Sequence, residues 1–455
     1  MRRVLSAILL WLTGVLVRFY YPRRSVEGAE HLPARGPALY VLNHPNGLMD
    51  PMVLRAMLSR PIRFLAKSTF YDNPFGRLAM DAFGSLPVYR AEDADRARDG
   101  GGGGGGGGDR AARNDRTFVR CHAELAAGAE LAVFPEGASH SDPRLRPLKT
   151  GAARIVLSAA ATAEGAAVIP VIPAGLHYQD KSQLRSGVHL VVGAPIDLGP
   201  HRARHATDPR GAVDGLTDEI RARLDAVVLQ AESRELLAGI ARVASWTASD
   251  AGDDAPDRHH ARTRELLAAY ARLKTTDPDR VERVAETARQ YARALAHLGV
   301  DDPWGLEVPR ITPAGVAAAL GRVVLMAPAA ALGFLQSFVP YRLADMLARR
   351  ISGAEDDILS TVRLIAGTTF LVAAWLVEAA VLGWKLGAGW GVLALATAVP
   401  AGYAALRLGE TVRDLVEAFR HLTLRAAGAS DARSAVERRR QLAAEVARAL
   451  REVPP

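Results

Sequence analysis

Two apolar runs, Leu364–Trp384 and Gly387–Leu406, are separated only by Lys385 and Leu386, and each is long enough to cross the roughly 30 Å hydrocarbon layer of a bilayer. Backbone polar groups have no partner in lipid, so both runs must be helices, and the short break makes residues 364–406 a transmembrane hairpin. Arg349, Arg350 and Arg363 precede the hairpin and Arg407 and Arg413 follow it, which puts both ends on the cytoplasmic side. An earlier run, Val316–Val339, contains Pro328 and Gln336 and reads as a buried, re-entrant or spanning helix. Together these runs define a membrane region over residues 311–410, followed by an Arg/Glu/Ala-rich amphipathic tail, 411–455. Residues 1–24 form a further apolar segment. It ends in Arg18, Tyr20, Tyr21, Pro22, Arg23 and Arg24 with no small-x-small cleavage site, so it is expected to be a retained anchor, interfacial or confined to one leaflet.

The remainder has a different pattern. Residues 25–230 alternate short apolar runs with helical stretches, the signature of an α/β domain: a mixed sheet flanked by helices. The expected strands are Ala38–Leu42, Glu130–Phe134, Ala167–Ile172 and Val188–Val192. Helices are expected after Asp50-Pro51, from about Asn114 to Ala127, and after Thr150-Gly151. Residues 91–116, with the glycine run Gly100–Gly108, read as a flexible surface insertion, because no Gly-Lys-Ser/Thr follows to make a phosphate loop. Residues 231–310 read as a helical extension broken by the polar segment Ser249–Arg262.

The net charge of +8 and pI near 9.8 are spread along the chain and mixed with apolar runs, without a basic stripe carrying interleaved aromatics. That distribution fits a membrane surface or phosphorylated substrates rather than nucleic acid. The single cysteine, Cys121, excludes an intramolecular disulfide, and no Cys/His spacing marks a metal site.

The chemistry-bearing residues cluster where strands end. Ala38–Leu42 runs into Asn43-His44-Pro45-Asn46-Gly47-Leu48-Met49-Asp50-Pro51, so a carboxylate can hold one ring nitrogen of His44 and leave the other to take a hydroxyl proton. Asp50 before Pro51 reads equally well as a helix N-cap. Phe134-Pro135-Glu136-Gly137-Ala138-Ser139-His140 follows another strand; Gly137 permits close backbone approach and Ser139 supplies a hydroxyl. Lys67 and Arg90, the latter in Gly84-Ser85-Leu86-Pro87-Val88-Tyr89-Arg90, are candidate phosphate clamps. Val168–Pro173 is stiff and apolar, suited to an acyl path or simply to a buried strand.

Taken in order, these elements resemble the glycerolipid acyltransferase family: a His/Asp motif, a Gly-x-x-Pro-x-x-Arg-like block, Phe-Pro-Glu-Gly-x-Ser and a Pro-rich strand. The fuller wording of these blocks and the apolar C-terminal region are similar to the glycerol-3-phosphate/dihydroxyacetone-phosphate acyltransferase subgroup. The Ser139 hydroxyl is suited to a phosphate or an oxyanion, and the resemblance implies His44 as general base, Asp50 as its orienter, Arg90, Glu136 and Gly137 at a glycerol phosphate acceptor, and Lys149 near the phosphate. It implies acyl-CoA or acyl carrier protein as thioester donor, no metal or redox cofactor, and a membrane protein whose catalytic domain faces the cytoplasm. The family usually places four residues between His and Asp; here there are five, Pro45 to Met49, and the extra one is expected to be absorbed by a turn at Asn46-Gly47. A lysophosphatidate or other lysophospholipid acceptor is the rival within the class, and a non-catalytic lipid-binding scaffold the rival outside it.

Overall fold

A computed structural model describes residues 2–72, 74–89, 107–162, 169–248, 255–300, 313–353, 358–426 and 430–451. Two compact units divide the chain: residues 1–237 with 255–260, and residues 238–254 with 261–455.

The first unit begins with helix α1 (Arg2–Tyr20), strand β1 (Arg23–Glu27) and strand β2 (Ala38–Leu42). Helix α2 (Met49–Leu58), β3 (Arg63–Lys67), α3 (Pro74–Ala82) and β4 (Leu86–Val88) follow. Then come α4 (Gly107–Ala126), β5 (Glu130–Val133), α5 (Gly151–Thr162), β6 (Val171–Tyr178) and β7 (Gly187–Val192). Two helices, α6 (Gly199–His205) and α7 (Pro209–Val227), close it.

The strands form one seven-stranded sheet in the order β1-β7-β6-β2-β5-β3-β4. It is mixed, as expected: β2 runs parallel to both β5 and β6, β3 parallel to β5 and β4, and β7 antiparallel to β6. Because β2, β3, β4, β5 and β6 share one direction, their carboxyl ends lie along a single edge, where ligand crevices form in such sheets. Every residue of β2 is buried, which is why it reads as a continuous apolar run rather than an alternating one. On one face, Leu39, Val41, Leu131 and Ile155 pack with the α7 stripe Leu216, Ile220 and Leu224. Asp208 caps α7 by accepting from the Gly211 amide at 2.9 Å, with Pro209 at the first helical position. Elsewhere in the unit, α1 packs on α2.

Several element bounds differ from the sequence expectations. Strand β6 begins at Val171 and runs to Tyr178, beyond the expected end at Ile172, because its second half pairs with β7 from Ala174↔Val192 to Tyr178↔Val188. Helix α4 starts at Gly107, inside the segment read as a flexible insertion: Asp109–Arg116 is rich in Ala and Arg, good helix formers, and extends the helix back over two glycines. The rest of that insertion, 91–106, lies outside the described residues, as do Ala167, Val168 and residues 249–254 of the polar break.

The second unit holds α8 (Arg234–Trp246), whose first turn belongs to unit one, α9 (Pro256–Thr276), which starts in unit one, and α10 (Pro278–Leu298). Next are α11 (Pro313–Ser352), α12 (Leu359–Leu386), α13 (Ala388–Ala426) and α14 (Ser430–Arg451). The C-terminal helix packs by one face: Ala435, Leu442 and Val446 of α14 bury against Tyr291 and Leu295 of α10. Residues Pro256–Arg262, expected within a break, already belong to α9.

Among the described residues three helices are long and apolar enough to cross a membrane: 314–352, 359–386 and 388–424. The hairpin is therefore part of a three-helix set, and its turn falls at Gly387, with φ +103°, while Lys385 and Leu386 remain helical. Leu325, Leu335 and Trp384 are at least three-quarters exposed, as lipid-facing side chains would be. Small residues let the helices meet: a Cβ on Gly333 would stand 2.0 Å from the Ala401 carbonyl oxygen, and one on Gly391 2.6 Å from that of Ala379. Gly333→Leu is expected to cost about 1–3 kcal/mol by forcing α11 off α13, read as a lower melting temperature in detergent. Gly321→Ala, where an added Cβ meets nothing within 4 Å, is the control and should hold or raise it.

Candidate active site

Strand β2 delivers Asn43 and His44 to the shared carboxyl edge of the sheet. Asn43 prolongs the strand pairing with its side chain: Nδ2 donates to the Leu176 carbonyl at 3.1 Å, and the Leu176 amide donates to Oδ1 at 2.8 Å. The backbone then turns at Asn46-Gly47, with Gly47 at φ +45° and the Met49 amide donating to the Asn46 carbonyl. The fifth intervening residue is absorbed there, and His44 Nδ1 lies 2.8 Å from Asp50 Oδ2.

Asp50 is fully buried and is not the helix cap; Leu48 holds that position and Asp50 sits in the first turn of α2. Its carboxylate is drawn instead to the histidine, the Asn46 amide at 2.8 Å on Oδ2 and the Tyr178 hydroxyl at 2.6 Å on Oδ1. Burial, then the adjacent carboxylate, push the Tyr178 phenol well above its ordinary value, so it remains a proton donor to Asp50. With Asp50 accepting from Nδ1–H, the lone pair of His44 resides on Nε2, the state a general base requires. The imidazole plane is set by Phe134, stacked at 4.0 Å between centroids and 11° between planes.

The loop after β5 is sewn to this turn. The His44 amide donates to Glu136 Oε1 at 3.3 Å, and the His140 amide donates to the His44 carbonyl at 3.1 Å. Glu136 Oε2 pairs with His140 Nε2 at 2.5 Å and accepts from the Arg146 amide at 2.8 Å. Both carboxylate oxygens of Glu136, the residue expected at the acceptor, are thus engaged by the protein in this structure. Gly137 has φ +80°, and its own amide donates to the Phe134 carbonyl at 3.0 Å, so that N–H is not available for an oxyanion. Lys149 lies directly over it: a Cβ at Gly137 would stand 2.6 Å from Lys149 Cε and 2.7 Å from Nζ. The glycine makes room for a cation at the mouth of the site.

Ser139 is half-buried in the same loop, and Lys67 ends β3 on the same sheet edge. Arg90 lies outside the described residues. Val171 and Ile172 of the stiff segment are fully buried in the sheet. Sequence reasoning missed Tyr178, Asn46, His140 and Lys181. The Lys181 ammonium donates to the Pro45 carbonyl at 3.1 Å and to Ser141 Oγ, adding a second cation beside the histidine turn. Tyr21 completes the support, accepting from Asn46 Nδ2 at 3.0 Å and donating to the Lys181 carbonyl at 2.7 Å. Cys121 is buried, and burial pushes its thiol up to about 12, so it is no nucleophile.

Residues 23–176 match the family model described as Acyltransferase. Over 366 residues the chain is 24% identical to an uncharacterized acyltransferase of Schizosaccharomyces pombe, covering 64% of this chain and 54% of that protein. Over 125 residues it is 34% identical to glycerol-3-phosphate O-acyltransferase 2 of Saccharomyces cerevisiae, covering 27% and 17% respectively. The chain thus spans about half the length, or less, of these relatives. A solved structure, the 1-acyl-sn-glycerophosphate acyltransferase PlsC of Thermotoga maritima, aligns with 50% of this chain and 82% of its own at 16% identity and a TM-score of 0.33. The histidine–carboxylate site after β2 therefore lies within the residues that match the Acyltransferase family model, and the same region is similar to glycerolipid acyltransferases.

Proposed function

We propose that this protein transfers a fatty acyl group from a thioester, acyl-CoA or acyl carrier protein, to a hydroxyl of glycerol 3-phosphate, and that dihydroxyacetone phosphate is a second acceptor. The observation that carries the reading is the buried Asp50 carboxylate holding His44 Nδ1 while Lys149 and Lys181 bring positive charge to the same pair of loops. His44 Nε2 takes the hydroxyl proton as the acceptor oxygen attacks the thioester carbonyl. The C–O bond forms, the C–S bond breaks, and the imidazolium returns the proton to the departing thiolate. The two lysines are the candidates to neutralise the acceptor phosphate, with Lys67, Arg90 and Ser139 as further contacts. Similarity to the S. cerevisiae glycerol-3-phosphate acyltransferase supports this acceptor, and a lysophospholipid is the rival that the test includes. The proposal also places the domain on the cytoplasmic face of a membrane, where thioester donors are made, and carries no metal or redox step.

The test offers glycerol 3-phosphate, dihydroxyacetone phosphate and lysophosphatidate separately to the protein in phospholipid vesicles, with an acyl-CoA and, in parallel, with an acylated acyl carrier protein. Glycerol 3-phosphate should be acylated at least about tenfold faster, in kcat/KM, than lysophosphatidate. The reverse order assigns the second acylation step instead, and no transfer to any acceptor with either donor leaves the scaffold reading. Lys149→Ala is expected to raise the KM for the phosphate acceptor about 10–100-fold, the loss of roughly 1.5–3 kcal/mol from one charge-assisted contact, with smaller change in kcat.

A further inference from the structure

Adjacent residues of a strand point to opposite faces, so Tyr178 supports Asp50 on one face of the sheet while His177 projects from the other. There His177 faces His189, its cross-strand partner in β7, and both meet His260 from the first turns of α9. Ring centroids are 4.2 Å apart for His177–His260 and 4.8 Å for His189–His260. His177 Nε2 is committed to the Val227 carbonyl at 2.8 Å, so it lines the group without adding a ligand atom. The other two imidazoles are joined by Glu27, the last residue of β1, and one donor atom each from Glu27, His189 and His260 lie within 4.8 Å of one another.

We propose that Glu27, His189 and His260 hold one divalent transition-metal ion of the zinc class, with a water completing the shell on the exposed Glu27 side. The ligand types suit it, two imidazoles and one carboxylate. Tetrahedral ligands at about 2.0–2.1 Å from a zinc ion stand roughly 3.3–3.4 Å from one another, and His189 Nε2 lies 3.3 Å from Glu27 Oε2. The other donor pairs of the trio lie within 4.8 Å, and Glu27, with a side chain 42% exposed, is the ligand readiest to adjust. The ring of His189 is already oriented: Ser25 Oγ lies 2.9 Å from Nδ1, which turns Nε2 to the carboxylate in the manner of an outer-shell partner. The ion would tie β1, β7 and residues 255–260 together within the first unit. Nothing in the acyl-transfer reading is needed for it.

The test uses untagged full-length protein in detergent, stripped with a chelator and titrated with Zn2+ against a chromogenic competitor. The wild type should take up one ion per chain with micromolar or tighter affinity and melt several degrees higher when loaded, and Co2+ in its place should give visible d–d absorption. Glu27→Gln, exposed and conservative, and His260→Gln should each weaken binding at least about tenfold and lose the melting response to Zn2+. Failure of the wild type to bind stoichiometrically, or Glu27→Gln binding as tightly as wild type, overturns the site; should His260→Gln not fold, Glu27→Gln decides.

Discussion

His44→Ala should lower kcat/KM roughly 10³–10⁴-fold while the protein melts within a few degrees of wild type. The size follows from the loss of a positioned general base, worth about 10²–10⁴, together with the loss of the group that reprotonates the leaving thiolate. Stability should hold because the imidazole is partly exposed and its main packing is a single face against Phe134. Asp50→Asn keeps the shape but can present an amide N–H to Nδ1, which favours the wrong tautomer, and a loss of about 10²–10⁴ in kcat is expected. Tyr178→Phe removes one donor to the buried carboxylate and should cost about tenfold in kcat with the acceptor KM nearly unchanged, since the phenol acts through Asp50 and His44. The measurement is steady-state transfer with thermal melts of each variant. More than a tenth of wild-type activity in His44→Ala would show that the base lies elsewhere.

The local parts of this arrangement were legible in the sequence because they are short-range. His44 and Asp50 are joined across one turn, and the loop from Phe134 to Lys149 follows a strand whose apolar run is unmistakable. The long-range parts were not. Tyr178 lies 128 residues from Asp50. It reaches Asp50 only because β6 continues past Pro173, a residue that reads as a strand breaker but stands where the pairing with β7 begins. Asp50 reads as an N-cap from its neighbour Pro51, yet the histidine and the Asn46 amide compete for its carboxylate and win, and the helix starts two residues earlier, at Met49. Glu27 and His189 are separated by 162 positions and are brought together by β1 pairing with β7, a match that no motif announces. The membrane helices were legible in apolar length, but the small-residue contacts at Gly333 and Gly391 depend on which helix faces meet.

Glu136→Ala is expected to destabilise the first unit by about 3–5 kcal/mol, because it removes a buried carboxylate that three donors share and leaves the His44 amide, His140 Nε2 and the Arg146 amide without it. Glu136→Gln should be milder: its carbonyl oxygen can take the place of Oε2, which has two close partners, and its amide nitrogen that of Oε1, where the one contact is 3.3 Å. The two variants separate a brace from an acceptor ligand. A brace predicts a large fall in melting temperature for alanine, partial rescue by glutamine, and a kcat loss that tracks the displaced His44 backbone. An acceptor ligand predicts the opposite: near-normal melting and an acceptor KM raised by tenfold or more in both variants. That second pattern would mean that the Glu136 carboxylate leaves its three partners when the acceptor arrives, and that the loop seen here is a resting form of the site.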